Sequence, residues 1–248
     1  MIDLALRAEL ALWAMQGRRP RLWWRDDDAV GDEPQLRRLL DLARSADVPV
    51  ALAVIPQGME PSLAPLLERA RGVSVLQHGS DHLNDGSPDR PTQFAPDRSV
   101  QEVAAVIRAG AERLADLPGR LPIYVPPWNR LEDNVLQALP LAGVDGLSAF
   151  GDYASEGAGL MRCDSHVDVL RWRVAPRFGG AWRCFGRLRR ALARRRRSGR
   201  WDEPVGLLTH HRVHDEATWA FLEHLLRSQV LRRRVRWCSA QAVFFAPS

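Results

Sequence analysis

The 248-residue chain contains no lysine: all 35 basic residues are arginine. With no side-chain amine available, Schiff-base chemistry is excluded. Cysteine is scarce as well. Cys163, Cys184 and Cys238 are odd in number and share no short spacing, so reduced core thiols are expected rather than a disulfide framework or a thiolate zinc site. No run approaches the roughly 18 uncharged apolar residues of a membrane span. Asp3 stands where a signal peptide carries only positive charge, so the amino-terminal segment is expected to be an amphipathic helix and the protein cytoplasmic. Internal repeats and a dividing linker are also missing, and residues 1–248 are expected to form one domain.

What is present is a globular mixture, 46% hydrophobic and 26% charged, with enough apolar mass for a sizeable core. The charge is unevenly placed: 16 arginines face 21 acids in residues 1–150, against 19 and 9 in residues 151–248. Residues 182–200 hold nine arginines and no acid. Such a run is either a solvated helix face or an electrostatic patch for a polyanion. No nucleic-acid motif or aromatic stacking platform accompanies it, so nucleic acid is not an expected partner.

Short apolar runs at 22–25, 50–55, 73–77, 121–125, 145–149, 167–170 and 205–209 fit parallel strands buried on both faces. Helical patterns lie between several of them, at 34–45, 61–71, 99–116, 131–139, 182–197 and 216–227. Pro34 suits a first helical turn, and Ser99 with Glu102 forms a capping-box pattern. Alternation of this kind predicts a parallel sheet with right-handed crossovers. About seven units favour a barrel over an open doubly wound sheet, because the glycine-rich turn of the latter is missing after the first strand. That turn instead holds Asp26, Asp27 and Asp28. Segments 83–98 and 151–163 are expected to be long loops.

Three adjacent carboxylates repel one another unless a cation, an arginine or water compensates. A solvated acidic turn would suffice for that, but these sit at the carboxyl end of a buried strand, where barrel active sites assemble. His78 and His82 follow another apolar run, and Gly79 between them predicts a strand-to-helix turn rather than a helix. Two histidines and one carboxylate make a three-ligand metal site with a position left open for water, the arrangement of catalytic zinc. The run 205–209 ends in His210 and His211, which point to opposite faces of an extended chain, so at most one should face a common pocket and act as a proton donor. His166 and His214 are weaker candidates. Pro126-Pro127-Trp128-Asn129-Arg130 closes the strand at 121–125 rigidly, and Trp128 offers a flat apolar wall of the kind that stacks on sugar rings.

In this order, the four elements resemble the polysaccharide deacetylase family, carbohydrate esterase family 4. The resemblance spans residues 26–210 and implies an α/β fold, a distorted (β/α)7 barrel of parallel strands with outer helices. It implies metal-dependent removal of an acetyl group from an N-acetylated sugar or glycan. Asp27-Asp28-Ala29 is similar to the first family motif, making Asp27 the implied base and Asp28 the metal ligand; a one-residue shift to Asp26 and Asp27 stays open. His78 and His82 fit the metal-binding pair, Pro126-Pro127-Trp128 the third motif and Leu208-Thr209-His210 the fifth, with His210 as the implied acid. Pro127, Trp128 and Asn129 then become implied substrate contacts. The implied cofactor is a divalent metal, zinc above all, with cobalt, nickel or manganese as alternatives.

Two departures stand out. Val125 occupies the position of the arginine that orients the base, so Arg25 or Arg130 would have to replace it. The fourth motif, Asp168-Val169-Leu170-Arg171-Trp172, keeps Asp168 and Trp172 but has Arg171 where a second aspartate tunes the acidic histidine, which leaves Asp168 for that role. The chain therefore looks like a divergent member whose substrate need not be a conventional polysaccharide. An amide hydrolase for a small non-sugar substrate, or a non-catalytic descendant that binds a glycan or polyanion, are the alternatives.

Overall fold

The structure, a computed structural model, describes residues 2–151, 159–172 and 175–245, so part of the loop expected at 151–163 lies outside the described residues. Eleven strands are described: β1 (Arg21–Ala29), β2 (Val50–Val54), β3 (Val73–His78), β4 (Arg120–Val125), β5 (Gly146–Leu147), β6 (Met161–Arg162), β7 (Ser165–Asp168), β8 (Leu170–Arg171), β9 (Arg177–Phe178), β10 (Val205–Thr209) and β11 (Arg236–Trp237). The helices are α1 (Leu4–Met15), α2 (Pro34–Ala46), α3 (Leu63–Glu68), α4 (Val100–Arg113), α5 (Asp133–Leu141), α6 (Ala181–Arg197), α7 (Glu216–Leu226), α8 (Gln229–Arg234) and α9 (Ala240–Phe244).

All pairings in the main sheet are parallel, in the order β6-β5-β4-β3-β2-β1-β10-β7, with β11 added beside β1. β6 and β7 lie three residues apart in the chain yet stand at the two ends of that order. Ser165 bridges Phe150 on one side and pairs with Gly206 on the other, so the sheet curls round on itself. An open sheet is thereby excluded. The antiparallel pair β8–β9 stands apart.

Strand alternation sorts the apolar residues into two layers. One face of β1 to β4 supplies Trp23, Ala51, Ala53, Leu76, Ile123 and Val125 to the interior of the curl. The other supplies Leu22, Trp24, Val50, Leu52, Val54 and Val75 to the layer beneath the helices. Ala51 and Ala53 leave room for the Trp23 indole, and Gly206 does the same across the curl, since a Cβ there would lie 2.7 Å from Trp23 Nε1. Phe244 of α9 meets Trp23 edge-on at 5.9 Å, and Arg21 donates to the Ala242 carbonyl at 2.8 Å. α9 thus closes the amino end of the curl, and the carboxyl end carries polar residues.

The helices follow their local signals. Asp3 caps α1, which buries Leu6, Leu10 and Trp13 on one face. The reciprocal Ser99–Glu102 box caps α4, and Pro34 occupies the first turn of α2. The three cysteines are free and buried, as their spacing implied. Among the described residues no helix is long and apolar enough to cross a membrane.

Candidate functional site

At the carboxyl end of the curl, β1, β3, β4 and β10 deliver their last residues to one open cleft. Its lining includes Asp27, Asp28, His78, His82, Trp128, Asn129, Asp168, Trp172 and His210.

The three aspartates belong to β1 itself rather than to a turn after it. Alternation puts Arg25 and Asp27 on the interior face and Asp26 on the opposite one. Asp28 would follow Asp26, but its φ is +73° and the β1–β2 register shifts between Asp26 and Ala29. This left-handed residue breaks the alternation and keeps Asp28 at the cleft with Asp27. Asp26, fully buried, accepts from Thr209 Oγ1 at 2.5 Å and from the His211 backbone N–H at 3.1 Å, and pairs with His211 Nδ1. Burial opposes ionisation of Asp26, yet His211 outweighs it and holds the carboxyl below its usual range. Asp26 and His211 therefore face away from the cleft, while His210 faces into it, the division the paired histidines implied.

Asp28, His78 and His82 each turn one ligand atom to a common point, all within 4.8 Å of one another. His78 ends β3 and makes a 3.0 Å hydrogen bond from Nδ1 to the Val125 carbonyl, leaving Nε2 3.2 Å from Asp28 Oδ1. His82 Nε2 lies 3.5 Å from the same oxygen. The pair sits on a strand-to-loop bend, not on a strand-to-helix turn, because α4 begins only at Val100. Gly79 (φ +58°) and His82 (φ +59°) both take left-handed conformations there. Burial resists charge on Asp28, but His78 at 3.2 Å and the surrounding imidazoles hold its carboxyl well below the usual range. Burial, reinforced by His78, lowers the His82 pKa and favours the neutral ring that ligates metals.

Asp27 is gripped from behind. Arg25 Nε lies 2.8 Å from Asp27 Oδ1, and an Arg25 terminal nitrogen donates to Oδ2 at 3.0 Å. The other donors of Arg25 reach the Ser148 carbonyl (2.9 Å), Ser148 Oγ (2.6 Å), the Ala149 carbonyl (3.2 Å) and Asn129 Oδ1 (2.6 Å). Of the two arginines considered for holding Asp27, Arg25 contacts it directly, while Arg130 is exposed at the rim. Asn129, named as a substrate contact, spends its side-chain oxygen on Arg25. Pro127 is buried behind the loop, where a Cβ on Gly79 would lie 2.5 Å from its Cγ. Trp128, in a left-handed conformation, packs against His82 with the ring planes tilted by 51° and centroids 4.6 Å apart.

On the far wall, His210 Nε2 is 3.8 Å from Asp27 Oδ2, and the His210 ring meets Trp172 edge-on at 4.6 Å. Asp168 does not hydrogen-bond His210. Its oxygens accept from the Leu170 N–H at 2.8 Å and from Trp172 Nε1 at 2.7 Å, and burial pushes its pKa up. His210 Nδ1 is buried with no hydrogen-bond partner among the described residues. His166 is placed elsewhere, against the Gly206 N–H and Arg195. Sequence reasoning missed Ser148 and did not single out Phe150, Arg183 and Arg187, which share the cleft; only the four-residue spacing of the two arginines on α6 hinted at a common face.

No family model matches the chain, and no curated protein does. Solved structures do. A family 4 acetyl xylan esterase from Clostridium thermocellum, in complex with a cobalt ion, superposes with a TM-score of 0.53 at 14% identity over 90% of each chain. A peptidoglycan N-acetylglucosamine deacetylase gives 0.55 at 14% identity, over 93% of this chain and 90% of its own. A pseudoenzyme of the same family from Bacillus anthracis gives 0.53 at 13% identity, over 92% of this chain and 66% of its own. The chain therefore has the distorted (β/α)7 fold of the family 4 carbohydrate esterases and polysaccharide deacetylases, at low sequence identity.

Proposed function

We propose that the protein is a metal-dependent hydrolase that removes an acetyl group from an N-acetylated sugar or glycan. The observation that carries this reading is the convergence of Asp28, His78 and His82 beside an arginine-held Asp27.

The donor set suits a divalent ion. His78 donates from Nδ1 to a carbonyl, so in the neutral ring Nε2 is a bare acceptor, and it faces an acceptor oxygen of Asp28 at 3.2 Å. His82 brings a third acceptor to the same point, and Asp28 Oδ1 is buried without a hydrogen-bond partner. With both rings neutral, the three converging acceptors suit a cation between them, and two imidazoles with one carboxylate suit zinc first, then cobalt, nickel or manganese. An ion held there supplies Lewis-acid polarisation of an acyl carbonyl and activation of a water.

The chain's own residues handle the protons. Asp27, fixed by two contacts to Arg25, is oriented to accept the proton from the attacking water. Its other neighbour, His210, donates to the departing amine, which leaves poorly without a proton. With Oδ2 and Nε2 3.8 Å apart, the group that gains a proton sits beside the group that gives one up, so the pair is reset by a short transfer. Trp128 and Trp172 provide apolar walls on either side, which suit the flat faces of a sugar ring.

The pseudoenzyme neighbour shows that the fold also exists without activity, so the test must read metal and turnover separately. Metal content and acetate release from chito-oligosaccharides and small N-acetyl amides are measured together. Asp28→Ala and His78→Ala should lose bound metal. Asp27→Asn should keep it and lose about a hundredfold or more in turnover. A wild-type protein that binds no divalent ion, or an Asp27→Asn variant with full turnover, would refute the reading.

A further inference from the structure

The cleft carries more positive charge than hydrolysis of a neutral acetamide requires. Besides the groups above, Arg130, Arg171, Arg183 and Arg187 line it. Among the described residues none of these four forms an ion pair with a carboxylate. Asp27 is already matched by Arg25, and Asp28 belongs to the metal trio. That leaves Asp168 as the one remaining lining acid, and its oxygens are taken by the Leu170 N–H and the Trp172 indole.

Two of the four are held in place rather than waving in solvent. Arg183 donates to the carbonyls of Asp168 (3.0 Å) and Leu170 (2.7 Å), and its guanidinium passes over Gly179, where a Cβ would lie 2.9 Å from Cζ. Carbonyls orient a guanidinium without cancelling its charge. One turn further along α6, the Arg187 guanidinium sits 5.7 Å from the centroid of the Phe150 ring. Both side chains are half-buried. Burial and the neighbouring Arg183 hold Arg187 below its usual pKa, and the more distant Asp168 charge only partly offsets them. Arg171, exposed on β8, brings a third cation to the same wall, and Arg130 faces them from the β4 side. Oriented, incompletely solvated guanidinium groups are suited to carboxylate and phosphate oxygens.

We propose that this wall selects an anionic substrate: an N-acylated sugar that carries a carboxylate or phosphate group, bound by Arg171 and Arg187 with Arg183 in support. The inference rests on the hydrolase reading for the bond that is cut, but it concerns which molecule is held. It also divides the arginine-rich helix: Arg183 and Arg187 serve the cleft, Arg195 is buried, and Arg196 pairs with Glu9 of α1 at 2.7 Å.

The test uses three probes with one common core: N-acetylglucosamine, its 6-phosphate, and N-acetylmuramic acid, which adds a carboxylate. Binding to the zinc-loaded protein is measured by calorimetric titration, and acetate release is followed in parallel. At least one anionic probe should bind about tenfold or more tightly than the neutral sugar, and added salt should shrink that advantage. Which one binds better identifies the oxyanion. Arg171→Ala/Arg187→Ala should erase the advantage, while Arg44→Ala on α2, remote from the cleft, should keep it. Arg171→Ala alone gives the answer if the double variant does not fold, since that side chain is exposed. Equal binding of all three probes, or a preference that survives both substitutions, overturns the anionic site. The two readings fail separately: arginine-dependent anion binding without acetate release from any probe refutes only the hydrolase, and equal acetate release from all three refutes only the anion selection.

Discussion

Removing Arg25 should be among the most damaging single changes in the protein. Its side chain is wholly buried, and the Asp27 side chain is 1% exposed. Arg25→Met keeps much of the side-chain volume but deletes the cation. It strands the Asp27 carboxylate away from water and withdraws a donor from Ser148 Oγ, Asn129 Oδ1 and two carbonyls. Breaking a buried pair from one side costs about 3–5 kcal/mol, because the surviving charge is left uncompensated. For a chain of this length each kcal/mol is worth roughly 2–4 °C, so the melting temperature should fall by about 6–20 °C. Arg25→Met/Asp27→Asn removes the stranded charge as well and should recover about 1–3 kcal/mol of that loss. Arg25→Lys should fall between, since an ammonium cannot hold both carboxylate oxygens while reaching Ser148 and Asn129. Urea unfolding followed by the fluorescence of the nine tryptophans reads all three. A loss below about 1 kcal/mol for Arg25→Met, or strict additivity with Asp27→Asn, would show that Arg25 does not hold the candidate base.

Gly79→Ala should destabilise the protein by about 2 kcal/mol or more, since the backbone there has φ +58° and the new Cβ meets Pro127 Cγ at 2.5 Å. Because Gly79 follows His78 directly, the variant should also bind zinc more weakly in a competition titration; unchanged affinity would show that the bend does not position the trio. His214 accepts the His210 backbone N–H on Nε2 at 3.2 Å, and burial holds its pKa down to about 4. The unfolded chain takes up that proton near pH 6.5 and the folded one only near 4. Stability should therefore fall by about 3 kcal/mol as pH drops through this window, and His214→Gln should remove that part of the slope in urea titrations at pH 7 and 4. Ser99→Ala, which breaks the reciprocal cap of α4, should cost about 0.5–2 kcal/mol in the same assay.

The fold was legible where local chemistry decides it. The apolar run at 50–55 became β2 (Val50–Val54) because parallel strands are buried on both faces, and the Ser99 and Pro34 signals mark real helix starts. β11 was not legible: its two residues pair with Arg21 and Leu22, more than 200 positions away, and nothing in Arg236-Trp237 announces that. The choice between Arg25 and Arg130 was open to the pattern itself. A period of two along the strand puts Arg25 on the same face as Asp27, whereas Arg130 lies beyond the end of its strand at Val125. Arg171, Arg183 and Arg187 were visible in the sequence, but their shared wall was not, because only the curling of the sheet brings them together.

Asp26-Asp27-Asp28 shows how the two levels combine. In a solvated turn three consecutive carboxylates would repel one another, relieved only by water and salt. Here each is given a different partner: Asp26 the Thr209 and His211 groups, Asp27 the Arg25 guanidinium, Asp28 the two imidazoles. Alternation separates the first two, and the left-handed Asp28 separates the third from Asp26. Asp28 has no fixed cation of its own, only histidines that must be neutral to ligate, so its charge is the one the surrounding chain leaves to be matched from outside. That residual charge is why the reading turns on a bound divalent ion, and why replacing Asp28 with Asn should loosen metal binding far more than it disturbs the fold.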